Sequence, residues 1–335
     1  MNPQKQTVVS GIRATGNLHI GNYFGAINNF LAMQDLHHCF FFIADYHALT
    51  THPDAKLLNQ NSRQVLVEYL ACGLDPNRST IYLQSDLPET TELYLLLNML
   101  AMVGELERCT SFKEKIRKHP DNVNAGLLTY PVLMAADILI HKATLIPVGK
   151  DQQQHLEMAR DFVVRFNNRY DTDLFPQPQA YNFGQQLIKV PGLDGMGKMG
   201  KSEAAGNALL LTDDEPTIRK KIMKATTDNA PTEPNQRMSV PIENLFQLMN
   251  LVSKPETSQH FLSQFQNCTI RYGDMKKQLA DDMVAFIKPI NQNILSLQND
   301  TQYIQKIAKM GQEKAKASAQ KTLESVRHLM GFWGL

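Results

Sequence analysis

The chain has 335 residues, of which 43% are hydrophobic and 20% are charged, and its formal net charge is +1. This length predicts about two domains, and the near-neutral charge argues against a uniformly basic nucleic-acid binder, although it allows a local basic patch. The N-terminus does not resemble a signal peptide, and no apolar run reaches the roughly 20 residues that span a bilayer. We therefore expect a cytoplasmic protein without membrane contact. The cysteines and histidines lack metal-clip spacing, so no protein-bound metal is expected.

Apolar segments of strand length alternate with helical patterns in the first part of the chain. The predicted strands are residues 7–11, 39–45, 79–85 and 144–149. The predicted helices are residues 23–36, 54–74, 90–104, 129–143 and 151–170. Asp54 and Gly73 are the start and stop signals of the second helix, Gly104 is expected to end the third, and Pro131 is expected in the first turn of the fourth. This alternation predicts a parallel sheet that is covered on both faces.

The pattern changes after residue 202. From about residue 213 onward no segment has convincing strand character, and residues 242–252, 274–298 and 301–330 all have helical spacing of their apolar positions. Residues 226–235 are rich in turn formers and are expected to form an exposed loop. The sequence thus predicts an α/β domain followed by a helical region.

The stretch GMGKMGKS, Gly195–Ser202, matches the phosphate-loop pattern G-x-x-x-x-G-K-[ST]. A phosphate loop needs a strand that runs directly into the first glycine, but Pro191 and Gly192 interrupt any such strand. It also needs a helix that opens at the Lys-Ser pair, and Gly206 makes that helix a poor one. A P-loop is therefore disfavoured, as is a purely structural glycine-rich loop.

A second phosphate-binding candidate lies in Ser10–Ile27, which joins the first predicted strand to the first helix. Backbone N–H groups and the positive end of the helix favour anions at such a turn. Gly16 and Gly21 allow close approach of a nucleotide, and His19 and Asn22 add hydrogen-bond donors. The turn alone is a weak signal, but its combination with a later loop that carries two lysines is a strong one.

These two segments resemble the HIGH and KMSKS signatures of the class I aminoacyl-tRNA synthetases. The first is His19-Ile20-Gly21-Asn22 and the second is Lys198-Met199-Gly200-Lys201-Ser202, which has glycine where the family usually has a serine. Longer motifs in the same order resemble the bacterial tryptophanyl-tRNA synthetases: residues 15–27, 43–50, 104–108, 112–115, 127–140 and 147–167. The likeness covers most of residues 7–202 and continues more diffusely through the helical remainder, so the phosphate-loop match is coincidental.

The resemblance implies an α/β fold with a Rossmann-like parallel-sheet nucleotide-binding domain and a C-terminal all-helical domain. Its expected boundaries are 1–205 for the catalytic domain, 206–300 for a helical tRNA anticodon-binding region, and 301–335 for a C-terminal helix that packs back on the catalytic domain. The family reaction joins L-tryptophan to ATP, releases pyrophosphate, and transfers the amino acid to the 3′-terminal ribose of tRNA(Trp). The resemblance further implies a homodimer, ATP as a substrate with Mg²⁺, and no tightly bound cofactor.

Site residues follow from the same resemblance, position by position. The catalytic residues it implies are His19, Asn22, Lys198 and Lys201, which would stabilise charge on the reacting phosphates. The residues implied for ATP binding are Arg13, Ala14, Thr15, Gly21, Asn22, Gly149, Lys150, Asp151, Val190, Lys198, Met199, Gly200, Lys201 and Ser202. The residues implied for tryptophan binding are Val9, Gly11, His47, Tyr130, Met134, Asp137, Ile146, Val148 and Gln152.

Tyr130, Met134 and Asp137 are spaced i, i+4 and i+7, so they share one face of a predicted helix. Among apolar neighbours the Asp137 carboxylate needs a hydrogen-bond donor, and an indole N–H is a donor without acceptor capacity. A site built on that bond should reject phenylalanine strongly. Many bacterial relatives have Phe at the position of Val9 and Gln at that of Ser111, so the pocket wall is expected to differ there.

Two other functions remain open at the level of sequence. One is an adenylating or nucleotidyl-transferring enzyme that does not use tRNA, against which the long helical C-terminal region argues. The other is a nucleotide-binding regulatory module without catalysis, which the presence of His19, Lys198 and Lys201 disfavours.

Overall fold

The computed structural model describes residues 5–118, 120–149, 152–181, 189–195, 197–200 and 206–333. Its sheet consists of β1 (Thr7–Arg13), β2 (His38–Ala44), β3 (Ser79–Leu83), β4 (Leu145–Ile146) and β5 (Gln179–Ala180). The strands pair in parallel in the order β3-β2-β1-β4-β5. This confirms the predicted Rossmann-like sheet, and the strand order reverses direction between β1 and β4.

Helices separate and follow these strands. The helices within the described residues are α1 (Ile20–Asn22), α2 (Asn28–Met33), α3 (Asp45–Ala48), α4 (Ala55–Ala71), α5 (Pro88–Asn98), α6 (Val103–Arg108), α7 (Thr110–Lys118), α8 (Ala125–Leu139), α9 (Gln153–Arg169), α10 (Glu215–Met223), α11 (Val240–Val252), α12 (Pro255–Gln266), α13 (Tyr272–Asn299) and α14 (Thr301–Leu329). A π-helical turn, Tyr23–Ile27, joins α1 to α2. In the described part of the chain, no helix is long and apolar enough to cross a membrane.

Both faces of the sheet are buried. Successive residues of a strand point to opposite faces, so each strand contributes side chains to both sides. In β2, Phe41 and Ile43 belong to one apolar cluster, and Phe42 and Ala44 belong to another. The first cluster includes residues of α2 and α4 and continues into α10, α11, α12 and α13. The second cluster includes residues of α5, α8, α9 and α14. The C-terminal helices therefore complete the core on both sides of the sheet.

Helix α14 lies against the edge strand β3. A Cβ atom at Gly311 would overlap the carbonyl oxygen of Ile81 in that strand, so only glycine allows this approach. Ala315 and Ala319 follow on α14 and are fully buried. The small side chains bring the helix onto the sheet edge, which is thereby covered against pairing with other strands.

The structure differs from the sequence expectations at several element boundaries. Helix α8 begins at Ala125 because the Asn124 side chain accepts a hydrogen bond from the N–H of its third residue at 2.9 Å, so Pro131 lies inside the helix and not in its first turn. Gly104 lies within α6, after α5 has ended. Strand β4 stops before Pro147, which has no N–H to donate. The short strand β5 was not expected.

Candidate active site

A cavity of about 530 Å³ opens at the carboxyl ends of β1 and β4. Ligands of open α/β sheets bind at this kind of position, where the strand order reverses. Every residue predicted to bind tryptophan lines it: Val9, Gly11, His47, Tyr130, Met134, Asp137, Ile146, Val148 and Gln152. Three residues predicted to bind ATP also line it: Arg13, Asn22 and Gly149. The binding roles of these residues stay predictions, but the fold brings them to one place.

The remaining ATP and catalytic candidates do not line this cavity or lie outside the described residues. Those that are described but do not line it are Ala14, Thr15, His19, Gly21, Val190, Lys198, Met199 and Gly200. The candidates outside the described residues are Lys150, Asp151, Lys201 and Ser202. The structure therefore describes one lysine of the second signature, Lys198.

The Asp137 carboxylate is buried, with 2% of its surface exposed, and both of its oxygens accept hydrogen bonds. The Gln84 amide donates to Oδ1 at 2.8 Å and to Oδ2 at 2.9 Å. His47 Nε2 lies 2.8 Å from Oδ2. Burial raises the pKa of Asp137, and the bonds from His47 and Gln84 oppose that shift. The side chain is thus held in one orientation at the cavity wall.

Gln84 is a site residue that the sequence reading missed. It follows directly on β3 and is almost fully buried. Next to it, the backbone N–H of Ser85 donates to Asp45 Oδ1 at 3.0 Å, and the Ser85 hydroxyl donates to Asp45 Oδ2. These bonds tie the end of β3 to the end of β2. Gln84 could have been identified from its place directly after a buried strand, because the carboxyl ends of parallel strands meet at the ligand-binding edge of the sheet.

A second polar cluster surrounds the Tyr130 hydroxyl. Tyr130 hydrogen-bonds to Ser111 Oγ, and its oxygen lies 2.5 Å from His155 Nε2. His155 Nε2 is also 2.9 Å from Ser111 Oγ, and His155 Nδ1 is 2.7 Å from Gln152 Oε1. Burial raises the pKa of Tyr130 to about 12, so its hydroxyl is neutral near neutral pH. The sequence reading did not identify His155, which lies on α9 in the turn after Gln152.

Lys115 is a further cationic residue at the cavity, which the sequence reading did not include among the tryptophan or ATP residues. Its Nζ lies 4.0 Å from the centroid of the Tyr130 ring, within the range of a cation–π contact. Burial lowers the pKa of Lys115, and the nearby Arg13 acts in the same direction. The cavity wall therefore carries positive charge at Arg13 and Lys115 as well as the buried carboxylate of Asp137.

The two signature segments lie side by side in the structure. The Ile20 N–H donates at 3.0 Å to the carbonyl of Leu209, which follows the second signature in the chain. A Cβ atom at Gly21 would lie 3.7 Å from Met199 Cβ. In the first segment, Asn22 Oδ1 accepts from the His19 backbone N–H at 3.0 Å, which fixes the start of α1. Residues far apart in sequence thus meet beside the cavity that Asn22 lines.

The described part of the second signature forms a hairpin-like loop. The Met199 N–H donates to the Val190 carbonyl at 2.8 Å, and the Gly192 N–H donates to the Gly197 carbonyl at 3.1 Å. Gly195 and Gly197 both have positive φ, +77° and +84°. A P-loop instead has a strand that runs directly into its first glycine. The backbone pairing of this loop thus differs from that of a P-loop.

Comparisons with known proteins agree with this geometry. The family described as tRNA synthetases class I (W and Y) matches residues 1–288. The tryptophan–tRNA ligase of Porphyromonas gingivalis is 59% identical over 98% of this chain and 99% of its own length, and that of Rickettsia conorii is 39% identical over 98% and 99%. The crystal structure of the Campylobacter jejuni tryptophanyl-tRNA synthetase with ADP and tryptophan is 34% identical, with a TM-score of 0.86 over 97% of this chain and 100% of that one. The chain therefore belongs to the class I tRNA synthetases of the tryptophan and tyrosine family and, within it, to the tryptophan–tRNA ligases of bacteria.

Proposed function

We propose that this chain activates L-tryptophan with ATP to form tryptophanyl-adenylate and pyrophosphate, and then transfers tryptophan to the 3′-terminal ribose of tRNA(Trp). The observation that carries the proposal is the buried Asp137 carboxylate in the wall of the cavity at the sheet's reversal point. Burial of a carboxylate costs free energy that hydrogen-bond donors such as His47 and Gln84 offset, so its presence in a cavity wall points to a role in recognition. Here it faces a space of a size suited to an aromatic amino acid.

In this proposal the indole N–H donates to Asp137 and the ring contacts apolar side chains. Met134, Ile146 and Val148 line the same cavity and supply those contacts. His47 and Gln84 hold the carboxylate oxygens in place, so the acceptor is oriented before the substrate arrives. An amino acid without a ring N–H leaves this buried acceptor without its additional donor, which opposes its binding.

The phosphates of ATP would lie at the turn after β1. His19 and Asn22 at the start of α1 would interact with them, together with the positive end of the helical segment. Lys198 and Lys201 would stabilise the charge that develops on the transferring and leaving phosphates. Gly149, Lys150 and Asp151 would contact ATP, and Mg²⁺ would arrive as part of the Mg–ATP substrate. This arrangement needs positioning and charge stabilisation more than covalent chemistry by the protein.

We also infer that the chain acts as a cytoplasmic homodimer. Four large apolar side chains between residues 95 and 103 are each more than half exposed: Leu95, Met99, Met102 and Val103. Apolar surface of this kind marks sites of protein–protein contact. We propose that residues 206–300 read the anticodon, while residues 301–335 support the catalytic domain of residues 1–205 through the contact of α14 with β3.

The test is amino-acid-dependent exchange of pyrophosphate into ATP, followed by acylation of tRNA. Exchange that depends on tryptophan and not on phenylalanine or tyrosine supports the proposal. Exchange with a different carboxylic acid and no acylation of tRNA supports an adenylating enzyme of another kind. The absence of exchange with every amino acid supports a regulatory module. Sedimentation of the same preparation tests the homodimer.

A further inference from the structure

The proton positions around Tyr130 follow from the chemistry of its neighbours. Gln152 Oε1 is an amide oxygen and can only accept, so His155 Nδ1, at 2.7 Å, carries a proton. Burial, with 1% of its surface exposed, favours the neutral form of His155, and in a neutral imidazole the other nitrogen is then an acceptor. His155 Nε2 therefore has a lone pair directed toward Tyr130 and Ser111, which lie at 2.5 Å and 2.9 Å.

Ser111 Oγ also lies 3.2 Å from Cys109 Sγ, so the Ser111 proton has three possible acceptors: Tyr130, His155 and Cys109. Where Ser111 donates to Tyr130 or to Cys109, Tyr130 donates to His155, and where Ser111 donates to His155, Tyr130 donates to Ser111. In each arrangement the Tyr130 proton lies inside the cluster, and its oxygen keeps a lone pair for the cavity that Tyr130 lines. Gln152 Oε1 likewise has a second lone pair available beside the same cavity.

We propose that His155 is a positioning residue that turns the Tyr130 hydroxyl and the Gln152 amide into hydrogen-bond acceptors for the ammonium group of the amino-acid substrate. This inference rests on the proposed function, since it concerns how that substrate is held. An ammonium group has three donors and no acceptor, so it needs oxygen lone pairs and is opposed by hydroxyl or amide protons. His155 acts through Tyr130 and Gln152.

A ligand pair that differs only at the amino group separates this role from a general structural one. Tryptophan carries the ammonium group, and indole-3-propionate has the same ring and carboxylate without it. The variant His155→Leu removes both the acceptor and the donor. We expect it to raise the KM for tryptophan in pyrophosphate exchange by about tenfold or more, as for loss of a charge-assisted hydrogen bond. We expect the inhibition constant of indole-3-propionate to change by less than about twofold, because that ligand lacks the group concerned.

Matched variants sharpen this test. His155→Gln keeps one acceptor and one donor and should restore most of the affinity for tryptophan, and His155→Met replaces the leucine variant if that protein does not fold. Val148→Ala changes the apolar wall and should weaken both ligands alike. In a Tyr130→Phe background, His155→Leu should have a smaller effect on tryptophan than it has in the parent.

Two outcomes contradict the inference. If His155→Leu weakens tryptophan and indole-3-propionate equally, or if it leaves both unchanged, His155 does not act on the amino group. Either result requires a parent enzyme that exchanges pyrophosphate with tryptophan. A parent enzyme without such exchange would overturn the proposed function instead, so the two failures are distinguishable.

Discussion

The amino-acid cavity and the loop of the second signature are built in different ways. In the cavity, Asp137 is buried, and its oxygens and the Tyr130 hydroxyl are held by side chains from several elements. In the loop, Lys198 is exposed and the described backbone forms a hairpin. A cavity with fixed polar groups favours binding of the substrate, whereas an exposed lysine such as Lys198 suits contacts that form only as the reaction proceeds. The difference predicts separate kinetic effects of changes in the two regions.

The largest effect is expected in the cavity, from Asp137→Ala. The change removes the acceptor for the indole N–H and leaves Gln84 and His47 without their partner, so kcat/KM for tryptophan should fall on the order of 10⁴-fold. The KM for ATP should change little. Pyrophosphate exchange at varied concentrations of tryptophan and ATP measures both quantities. The control is Met134→Leu, a substitution on the same helix that keeps the side-chain volume similar. Activity equal to that of the parent would refute this account of specificity.

Lys198→Ala should act on the rate of activation and not on the binding of tryptophan. Loss of one donor to the reacting phosphates is expected to lower kcat by about 10²-fold or more. The KM for tryptophan should stay within about threefold if the lysine contributes only in the transition state. Single-turnover formation of the adenylate measures the rate, and the exposed Lys189, replaced by alanine, is the control. If Lys198→Ala changed only the KM for tryptophan, the loop and the cavity would not have the separate kinetic effects that we predict.

His141 is buried just after the end of α8, the helix that carries Asp137. Its titration should make the free energy of unfolding depend on pH. His141 hydrogen-bonds to the Tyr82 hydroxyl and to Ser318 Oγ, each at 3.1 Å, and burial lowers its pKa to about 3 from 6.5. Between these values the unfolded chain binds the proton more readily, so this contribution to stability is complete above pH 6.5 and is lost as the pH falls toward 3. At about pH 5 the loss should be about 2 kcal/mol.

Urea unfolding at several pH values measures this effect. His141→Gln should make the free energy of unfolding less dependent on pH in that window than it is in the parent, even if the variant is less stable overall. His328→Gln is the control because His328 is exposed on α14. Equal slopes for the parent and the His141 variant would show that His141 is not the group that titrates.

The smallest effect is expected from Gly200→Ser, which introduces the residue usual in the family. Among the described residues, the nearest atom to a Cβ at Gly200 would be the Lys198 carbonyl oxygen at 4.0 Å, so none of them stands in the way of the serine. We expect a change in kcat of less than about threefold and a gain in stability of at most about 1 kcal/mol from the stiffer unfolded chain. Exchange kinetics and thermal unfolding test both values. A loss comparable to that of Lys198→Ala would show that the loop requires glycine.

Much of the fold could be predicted because it follows from local patterns. Apolar segments of strand length located β1, β2 and β3, and Asp54 was confirmed as the N-cap of α4 by bonds to two backbone N–H groups. The predicted boundaries of α8 and β4 were wrong because a nearby residue that the prediction did not consider set the end of the element. Asn124 started α8 upstream of Pro131, and Pro147 shortened β4. Strand β5 has only two residues, too few for a periodic pattern.

The sequence alone determined the family, the parallel sheet and part of the cavity lining, because motif order and the pattern of apolar segments are properties of the chain itself. Only the tertiary structure showed that Gln84 holds Asp137, that His155 links Tyr130 to Gln152, and that α14 covers β3 at Gly311. These contacts join residues from separate elements. Their geometry is decided when the helices and strands pack, and no local pattern in the sequence encodes which partner each polar group will meet.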